Sequence, residues 1–374
     1  MKPLNNQVII AAAGSGKSSD LVEKALHYND KRILITTFTI DNTKEIEKKF
    51  FDKIGYIPKN VVVQTWYSFL LRECVRPYQN LLYDKRRIEN IAFVNGQSTR
   101  FIAKKDIEKY YFKDGKYIYT DKLCDFIIEV NLISGGLVIE RLENIYDIIM
   151  IDEVQDLAGT DLDFLYLLLK SNIHNIIVGD NRQATYFTNN SSKNKKYRGQ
   201  SIFDLFSEWR EEGLCSIDYK TGCFRCNQLI CDIADSLYPD MPKTISKNDG
   251  KTGHDGVFYI KSSEVLEYVK EYSPVVLRYD KRTKNIPESF SPLNFGKSKG
   301  LTFDRVLIYS NGPVNKFLKG DYEAVNSPKT KASLYVALTR ARYSVTFVTD
   351  QKVISNEFVR KFTLKDNKEA AAFI

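Results

Sequence analysis

The sequence contains few histidines, few cysteines and no long apolar run. The three histidines, His27, His174 and His254, offer no histidine-based metal or catalytic site. Six cysteines in 374 residues are too few for a disulfide scaffold. No apolar stretch reaches the length of a membrane span, and the N-terminal segment leads into a glycine-rich loop rather than a signal-peptide cleavage site. These absences predict a cytoplasmic protein without a membrane partner.

The composition is otherwise that of a folded globular protein. Hydrophobic residues make up 43% of the chain and charged residues 27%, which excludes a mostly disordered chain, a collagen-like fibre and a coiled-coil rod. The length suggests two or three domains. Lysine and arginine number 55 against 47 aspartates and glutamates, which gives a net charge of +8. This mild excess is compatible with a polyanionic partner such as nucleic acid, but charge alone does not decide the function.

Short β-branched runs alternate with helix-like stretches along the chain. This alternation is typical of parallel strands joined by crossover helices and predicts an α/β fold with two sheet domains. The predicted strands are 7–11, 32–36, 61–64, 147–151 and 175–178 in a first sheet, and 256–260, 274–277, 304–309 and 344–348 in a second. We expect a first domain over 1–76 and 145–212 and a second over 213–374. The Lys-, Tyr- and Asn-rich stretch 77–144 is predicted to be a mostly helical insertion in the first domain.

The segment AAAGSGKS lies between a predicted buried strand and a predicted helix, which is the context of a phosphate-binding loop. Gly14 and Gly16 permit backbone conformations that turn successive N–H groups toward a phosphate. Lys17 is predicted to reach the β- and γ-phosphates of ATP, and Ser18 to bind Mg²⁺. The alternative is a chance Gly/Ser turn. The predicted ATP-binding loop consists of Ala11, Ala12, Ala13, Gly14, Ser15, Gly16, Lys17 and Ser18.

Two carboxylates, Asp152 and Glu153, follow the apolar run DIIMI. Because ligands of open parallel sheets bind at the carboxyl ends of the strands, these side chains are expected at such an edge. Asp152 is predicted to hold Mg²⁺ through water, and Glu153 to orient and deprotonate the attacking water. The alternative is a solvated acidic strand end.

The string DEVQDL at 152–157, together with AAAGSGKS, resembles the UvrD/Rep-type superfamily 1 DNA helicases. Further segments resemble that family's motifs in the family's order, from residue 37 to residue 342. They are TFTIDNTKE at 37–45, QTWYSF at 64–69, VGDNRQATY at 178–186, CFRCNQLICDIA at 223–234, KGLTFD at 299–304 and LYVALTRAR at 334–342. The resemblance implies two RecA-like P-loop NTPase domains with ATP in the cleft between them.

The resemblance also implies roles for single residues. Gln183 would sense the γ-phosphate, Arg225 and Arg340 would project onto it, and Arg340 would act as an arginine finger. Phe224 would stack on adenine. The alternative for the arginines is a surface ion pair, and for Phe224 core packing. The implied DNA contacts are Phe38, Thr39, Thr65, Trp66, Tyr186 and Phe187, since every base offers a π-face to an aromatic ring; core packing is the alternative for the aromatic residues.

The chain departs from the family pattern in three places. Gln7 is too close to Lys17 to be the family's adenine-reading glutamine, and Thr302 and Gly296 stand where glutamate and histidine are common. The interval between Arg225 and Lys299 has no room for the family's large accessory subdomain. The sequence is therefore interpreted as a compact two-domain motor.

Four cysteines, Cys215, Cys223, Cys226 and Cys231, lie close together in sequence. The spacing of Cys223 and Cys226 is compatible with a zinc site. The amphipathic pattern of the helix predicted at 227–237 favours core packing instead.

The function expected from the resemblance is ATP- and Mg²⁺-dependent translocation along single-stranded or tailed duplex DNA with 3′→5′ polarity, leading to unwinding. The alternative is a DNA-stimulated ATPase subunit that senses or remodels DNA for a partner nuclease, as in phage-defence systems. A third reading, a P-loop kinase of small metabolites, would leave the DNA-type motifs unexplained.

Overall fold

The computed structural model describes residues 5–94 and 96–362, except for the side chain of Glu288. The ends of the two predicted domains, 1–4 and 363–374, lie outside the described residues. The chain forms two compact units. The first contains the residues up to Ala11 and Gly16–Tyr219, and the second contains Ala12–Ser15 and the residues from Lys220 onward.

The first unit alternates strands and helices along the chain. Its elements are β1 (Gln7–Ala11), α1 (Lys17–His27), β2 (Ile33–Thr37), α2 (Ile40–Ile54), β3 (Val61–Thr65), α3 (Trp66–Phe69), β4 (Asn90–Ala92), α4 (Ile107–Tyr111), β5 (Phe112–Lys113), β6 (Tyr117–Tyr119), α5 (Leu123–Ile133), α6 (Leu137–Ile145), β7 (Ile148–Ile151), α7 (Thr160–Lys170), β8 (His174–Gly179), α8 (Ile202–Glu211) and β9 (Ser216–Lys220). Helix α3 continues into a π-helical segment, Leu70–Val75.

Six strands of this described part form one sheet in the order β3-β2-β7-β8-β1-β9. The neighbours from β3 to β1 pair in parallel, with Thr37 opposite Thr65 and Thr36 opposite Ile151. Strands such as β2 and β7 are buried along their whole length, as expected for a parallel sheet covered on both faces. The first unit ends at Tyr219, within β9, which lies beside β1 at the edge of the first sheet. The predicted domain boundary after 212 stays a prediction.

The stretch 77–144 contains the helices α4 and α5 and nearly all of α6, which ends at Ile145; its bounds as an insertion stay a prediction. It also contains a small sheet that was not predicted, in the order β4-β6-β5. The strands of this sheet are only two or three residues long, which is too short for a periodic pattern to show in the sequence.

The second unit is a second α/β arrangement. Its elements are β10 (Gly222–Cys223), α9 (Gln228–Ser236), β11 (Ile245–Ser246), β12 (Gly256–Ile260), α10 (Val265–Tyr272), β13 (Val275–Arg278), β14 (Leu293–Asn294), β15 (Phe303–Tyr309), α11 (Gly312–Leu318), α12 (Pro328–Leu338), β16 (Ala341–Val348) and β17 (Arg360–Lys361). Within its described residues, six strands form a parallel sheet in the order β14-β13-β15-β16-β12-β17. The predicted fold class, two α/β domains with parallel sheets, is confirmed.

Cys223, Cys226 and Cys231 lie in the hydrophobic core of the second unit as free, buried thiols. The described residues contain no group of three or more His, Cys, Asp or Glu side chains arranged to hold a metal ion. The burial of the cysteines in this core favours the core-packing interpretation. In addition, none of the helices described has both the length and the apolar composition needed to cross a bilayer.

A buried acid, Asp161, lies at the start of α7 in the first unit. Asn189 Nδ2 donates to Asp161 Oδ1 at 3.3 Å and to Thr160 Oγ1 at 2.9 Å. Burial raises the pKa of Asp161 to about 6, although hydrogen bonds to the carboxylate oppose the shift. Asp147 is the opposite case, because hydrogen bonds and charge from Arg32 lower its pKa to about 2.

These shifts predict a pH dependence of stability. The folded state holds the Asp161 proton more tightly than the unfolded state. Protonated Asp161 therefore makes its full contribution to the free energy of unfolding below about pH 4, and this contribution is lost as the pH rises through about 6. The free energy of unfolding should therefore fall by about 3 kcal/mol more in the wild type than in Asp161→Asn between about pH 4 and pH 7. Urea unfolding at several pH values measures this difference. As a control, the free energies of unfolding of wild type and Asp147→Asn should differ by a constant amount above about pH 5. If the free energies of unfolding of wild type and Asp161→Asn changed in parallel with pH, the raised pKa of Asp161 would be contradicted.

Candidate nucleotide-binding site

The candidate site lies at the carboxyl edge of the first sheet. Strands β7, β8 and β1 are neighbours in that sheet, so the segments that follow them emerge side by side. Asp152 follows β7, Asp180 follows β8, and the glycine-rich loop follows β1. Parallel register thus brings together acidic and phosphate-binding segments that are more than 130 residues apart in the chain.

The glycine-rich loop has the backbone conformation that its glycines permit. Gly14 has φ 73° and Gly16 has φ 82°, and Gly16 is the residue immediately before helix α1. Lys17 and Ser18 are the first two residues of that helix, where backbone N–H groups favour anions. The buried Ser15 Oγ has no hydrogen-bond partner among the described residues. A buried hydroxyl of this kind is suited to a phosphate oxygen.

Ala12–Ser15 pack within the second unit. The Ala12 N–H donates to the Lys220 carbonyl at 2.9 Å, and the Phe224 N–H donates to the Gly14 carbonyl at 2.9 Å. A Cβ on Gly14 would lie 2.7 Å from Cβ of Arg225. Glycine is therefore required at position 14 for space as well as for its positive φ.

Asp152 and Glu153 form the acidic part of the site. Asp152 is buried, its N–H donates to the Thr36 carbonyl at 2.9 Å, and its Oδ1 accepts the Glu153 N–H at 2.9 Å. Burial and the adjacent charge of Glu153 raise the pKa of Asp152 to about 7, while the charge of Lys17 lowers it. Glu153 adopts φ 56°, a left-handed conformation that is uncommon outside glycine and is found at functional sites.

A hydrogen-bond chain links this acidic pair to Asp180. Gln155 Nε2 donates to Glu153 Oε2, and Gln155 Oε1 accepts the Asp180 N–H at 3.0 Å. Asp180 in turn accepts hydrogen bonds from Gln183 Nε2 at 2.9 Å and from Arg182 Nε at 2.9 Å. Burial acts to raise the pKa of Asp180, but the charges of Arg182 and Lys17 and these hydrogen bonds hold it below its usual value. The predicted phosphate sensor Gln183 is thus connected to the predicted base Glu153 through two buried residues, Asp180 and Gln155.

These residues fit a magnesium nucleotide. The unpartnered hydroxyl of Ser15 and the positive φ of Gly14 and Gly16 suit a phosphate group. The raised pKa of Asp152 reflects negative charge that a cation would compensate. Ser18 and Asp152 offer the hard oxygen ligands that Mg²⁺ prefers.

In the second unit, Arg225 and Arg340 both donate hydrogen bonds to Thr339. Arg225 Nη1 donates to the Thr339 carbonyl at 3.1 Å, and Arg340 Nη2 donates to Thr339 Oγ1 at 3.3 Å. Arg340 is buried and also donates to the carbonyls of Val336 at 3.0 Å and Leu301 at 3.3 Å. These bonds exclude the surface ion pair as the explanation of Arg340.

The ring of Phe224 is 67% exposed, so the structure corrects the core-packing alternative for this residue. An exposed phenylalanine next to Arg225 leaves a ring face available for a base, as the resemblance implies. Its role in adenine stacking stays a prediction.

The implied DNA contacts fall into three groups. Tyr186 and Phe187 are 46% and 38% exposed, and Phe38 is half-buried. Thr39 and Thr65 act as N-caps, because their hydroxyls accept the N–H groups of Asn42 and Ser68. Trp66 differs from the expectation that it contacts DNA. Its ring is buried against Phe69 and Phe164 and leaves no face for a base.

Four further residues of these sites were not predicted from the sequence. Gln155, Asp180 and Arg182 complete the buried network, and all three lie inside strings that resemble helicase motifs, which was the available signal. Tyr67, next to Trp66, is the ring that contacts Phe38, with centroids 5.9 Å apart. The sequence shows two adjacent aromatic residues, Trp66 and Tyr67, but it does not indicate which of the two rings is buried.

Residues 109–195 match the sequence model of the UvrD/REP helicase N-terminal domain. This match covers less than a quarter of the chain. The matched region contains the acidic pair, Gln155 and the Asp180–Gln183 segment. The predicted resemblance to UvrD/Rep-type helicases is confirmed over these residues.

Two solved structures are similar to this chain. They are the Arterivirus nonstructural protein 10 helicase in complex with DNA (12% identity, TM-score 0.47, covering 94% of this chain and 61% of that chain) and the same helicase crystallised (13% identity, TM-score 0.47, 93% and 60%). The chain thus spans about three fifths of the length of these structures.

A substitution at Gly179 tests the role of Gln155 in the candidate site. A Cβ at this position would lie 2.5 Å from Gln155 Oε1 and 2.8 Å from a methyl of Val154. Gly179→Ala should therefore displace Gln155, cost about 1–3 kcal/mol of stability, and lower the ATPase rate by at least about tenfold through Glu153.

Gly312→Ala is the matched control, because a Cβ there meets no described atom within 4 Å. Thermal unfolding and steady-state ATP hydrolysis measure both variants. A Gly179→Ala protein with wild-type stability and turnover would show that the Gln155 contact is not required.

Proposed function

We propose that the chain is an ATP-dependent DNA helicase that translocates along single-stranded DNA, with 3′→5′ polarity by its resemblance to UvrD/Rep enzymes. The observation that carries this proposal is the buried network of Asp152, Glu153, Gln155, Asp180 and Gln183 beside Lys17. The network combines a phosphate-binding lysine, a carboxylate base and an amide sensor at one sheet edge. The match to the UvrD/REP N-terminal domain over the same residues supports a helicase rather than a metabolite kinase.

The residues have complementary tasks in hydrolysis. Lys17 compensates the negative charge of the β- and γ-phosphates. Glu153 is held by Gln155 and accepts the proton of the attacking water. Gln183 is hydrogen-bonded to Asp180 and reports the presence of the γ-phosphate. Mg²⁺, which Ser18 and Asp152 would hold, neutralises phosphate charge when it is bound.

In this proposal Arg225 and Arg340 supply positive charge to the γ-phosphate. Both guanidinium groups contact Thr339 in the second unit. For Arg340 to reach a phosphate, its hydrogen bonds to Leu301 and Val336 must exchange for bonds to phosphate oxygens. A guanidinium that alternates between carbonyls and phosphate has two discrete states, as a nucleotide-driven switch requires.

Lys17→Ala tests the nucleotide site directly. The variant should lose ATP hydrolysis by at least about a thousandfold, because the ammonium group proposed to contact the phosphates is removed, while its affinity for single-stranded DNA stays within about threefold. Lys24→Ala, on the same helix α1, is the matched control and should retain turnover.

Turnover is measured with and without single-stranded DNA or RNA. Wild-type hydrolysis that neither nucleic acid stimulates would refute the proposal, as would normal turnover in Lys17→Ala. Strand displacement on tailed duplexes of both polarities separates a helicase from an ATPase that remodels DNA for a partner nuclease. Stimulated hydrolysis without displacement would favour the latter.

Arg340→Ala separates a catalytic from a purely structural arginine. Loss of the buried donors should lower the free energy of unfolding by about 1–3 kcal/mol, and loss of the charge should lower kcat by about 10³-fold or more with a small change in ATP affinity.

Arg342→Ala removes an exposed arginine that pairs with Asp304 at 3.2 Å, and it should change both quantities little. Turnover of folded protein, checked by thermal unfolding, is the readout. An Arg340→Ala protein with reduced stability and unchanged kcat would limit Arg340 to a structural role.

A further inference from the structure

An exposed ring, Phe93, follows strand β4 of the insertion. It is 73% exposed although it is a phenylalanine. Single exposed apolar residues are ordinary in proteins, but Phe93 is not isolated. Its ring packs edge-on against Tyr67, with centroids 5.6 Å apart and an interplanar angle of 87°. This geometry is a preferred aromatic contact and leaves the outer face of Phe93 open.

Tyr67 in turn packs against Phe38, so three rings from separate segments form one row. We call Phe38, Tyr67 and Phe93 the aromatic row. Its origin lies in the sheet register: Thr37 at the end of β2 is opposite Thr65 at the end of β3. The residues that follow these two strands therefore leave the sheet side by side, and the insertion adds the third ring.

The row is also tied to the segment that carries Tyr186 and Phe187. The Tyr67 hydroxyl donates to the Thr188 carbonyl at 2.6 Å. This bond holds the buried Thr188 in place, and the two residues before it, Tyr186 and Phe187, are exposed aromatic residues. Two aromatic segments are thus joined through one tyrosine on the same unit.

Single-stranded DNA is the occupant that this surface fits. Sequence-tolerant binding of a single strand combines aromatic rings that stack on bases with positive charge that follows the phosphates. The chain has a net charge of +8, and the basic run 193–198 follows the Tyr186–Thr188 segment closely. The lysines of that run, Lys193, Lys195 and Lys196, are exposed, and Lys193 pairs with Asp163 at 3.2 Å.

We propose that Phe93 stacks on a base of single-stranded DNA, so that the aromatic row guides the strand from the first sheet onto the insertion. This proposal rests on the proposed function and extends its DNA-binding surface to a segment outside the motifs that resemble the helicase family.

The test measures the affinity of the full chain for a fluorescein-labelled oligothymidylate by anisotropy at several salt concentrations. Phe93→Ala and Phe93→Leu should each raise Kd about tenfold, while Phe93→Trp should stay within about threefold of wild type, because only the aromatic face is required. The dependence of Kd on salt should be unchanged in all three variants, because no phosphate contact is lost.

Phe101→Ala is the matched control. Phe101 lies in the same insertion and is 93% exposed, but it lies beneath the guanidinium of Arg100 at 5.8 Å rather than in the aromatic row. Its Kd should remain within about twofold of wild type. Thermal unfolding of each variant verifies that it is folded.

Two outcomes would overturn the proposal, and they differ from failure of the proposed function. A wild-type Kd for folded Phe93→Ala, or equal losses in Phe93→Ala and Phe101→Ala, would exclude stacking by Phe93 while leaving the helicase proposal intact. Wild-type protein that binds no single-stranded DNA and shows no DNA-stimulated hydrolysis would overturn both.

Discussion

The burial of two carboxylates beside one lysine is the constraint on which the candidate site depends. Asp152 and Asp180 end neighbouring strands, and both interact with the charge of Lys17. Their pKa values shift in opposite directions, because Asp180 is bonded to Arg182 and Gln183 whereas Asp152 has the negative Glu153 beside it. Asp180 is thus compensated within the protein. Burial and the charge of Glu153 disfavour the charged form of Asp152, and a bound divalent cation would favour it, which is why Asp152 rather than Asp180 is proposed as the ligand.

The same sheet edge supports the aromatic row. The Asp152 N–H donates to the Thr36 carbonyl in β2, and Phe38 is the first residue after that strand. Asp152 and the first ring of the aromatic row are therefore joined by one hydrogen bond and two peptide units. In the proposed function, this short connection links the nucleotide site to the DNA-binding residues.

Much of this arrangement could be predicted from local sequence. Strands such as β1 and β12 were predicted with the bounds that they have, because continuous apolar runs between turn signals are sufficient. The loop around Lys17 and the acids after β7 were predictable because their residue types follow from the chemistry of phosphate and magnesium binding.

The remaining features depend on side-chain direction and tertiary contact. Trp66 and Tyr67 are adjacent aromatic residues, and only the packing of α3 against Phe164 determines which ring is buried. The burial of Arg340 depends on carbonyls from Leu301 and Val336, which no spacing in the sequence reveals. The site is most directly tested by Glu153→Gln, which removes one charge and preserves the size of the side chain. In single-turnover assays this variant should bind Mg·ATP with nearly wild-type affinity and hydrolyse it at least about a hundredfold more slowly. Hydrolysis at the wild-type rate would contradict the assignment of Glu153 as the base and, with it, the account of the buried network.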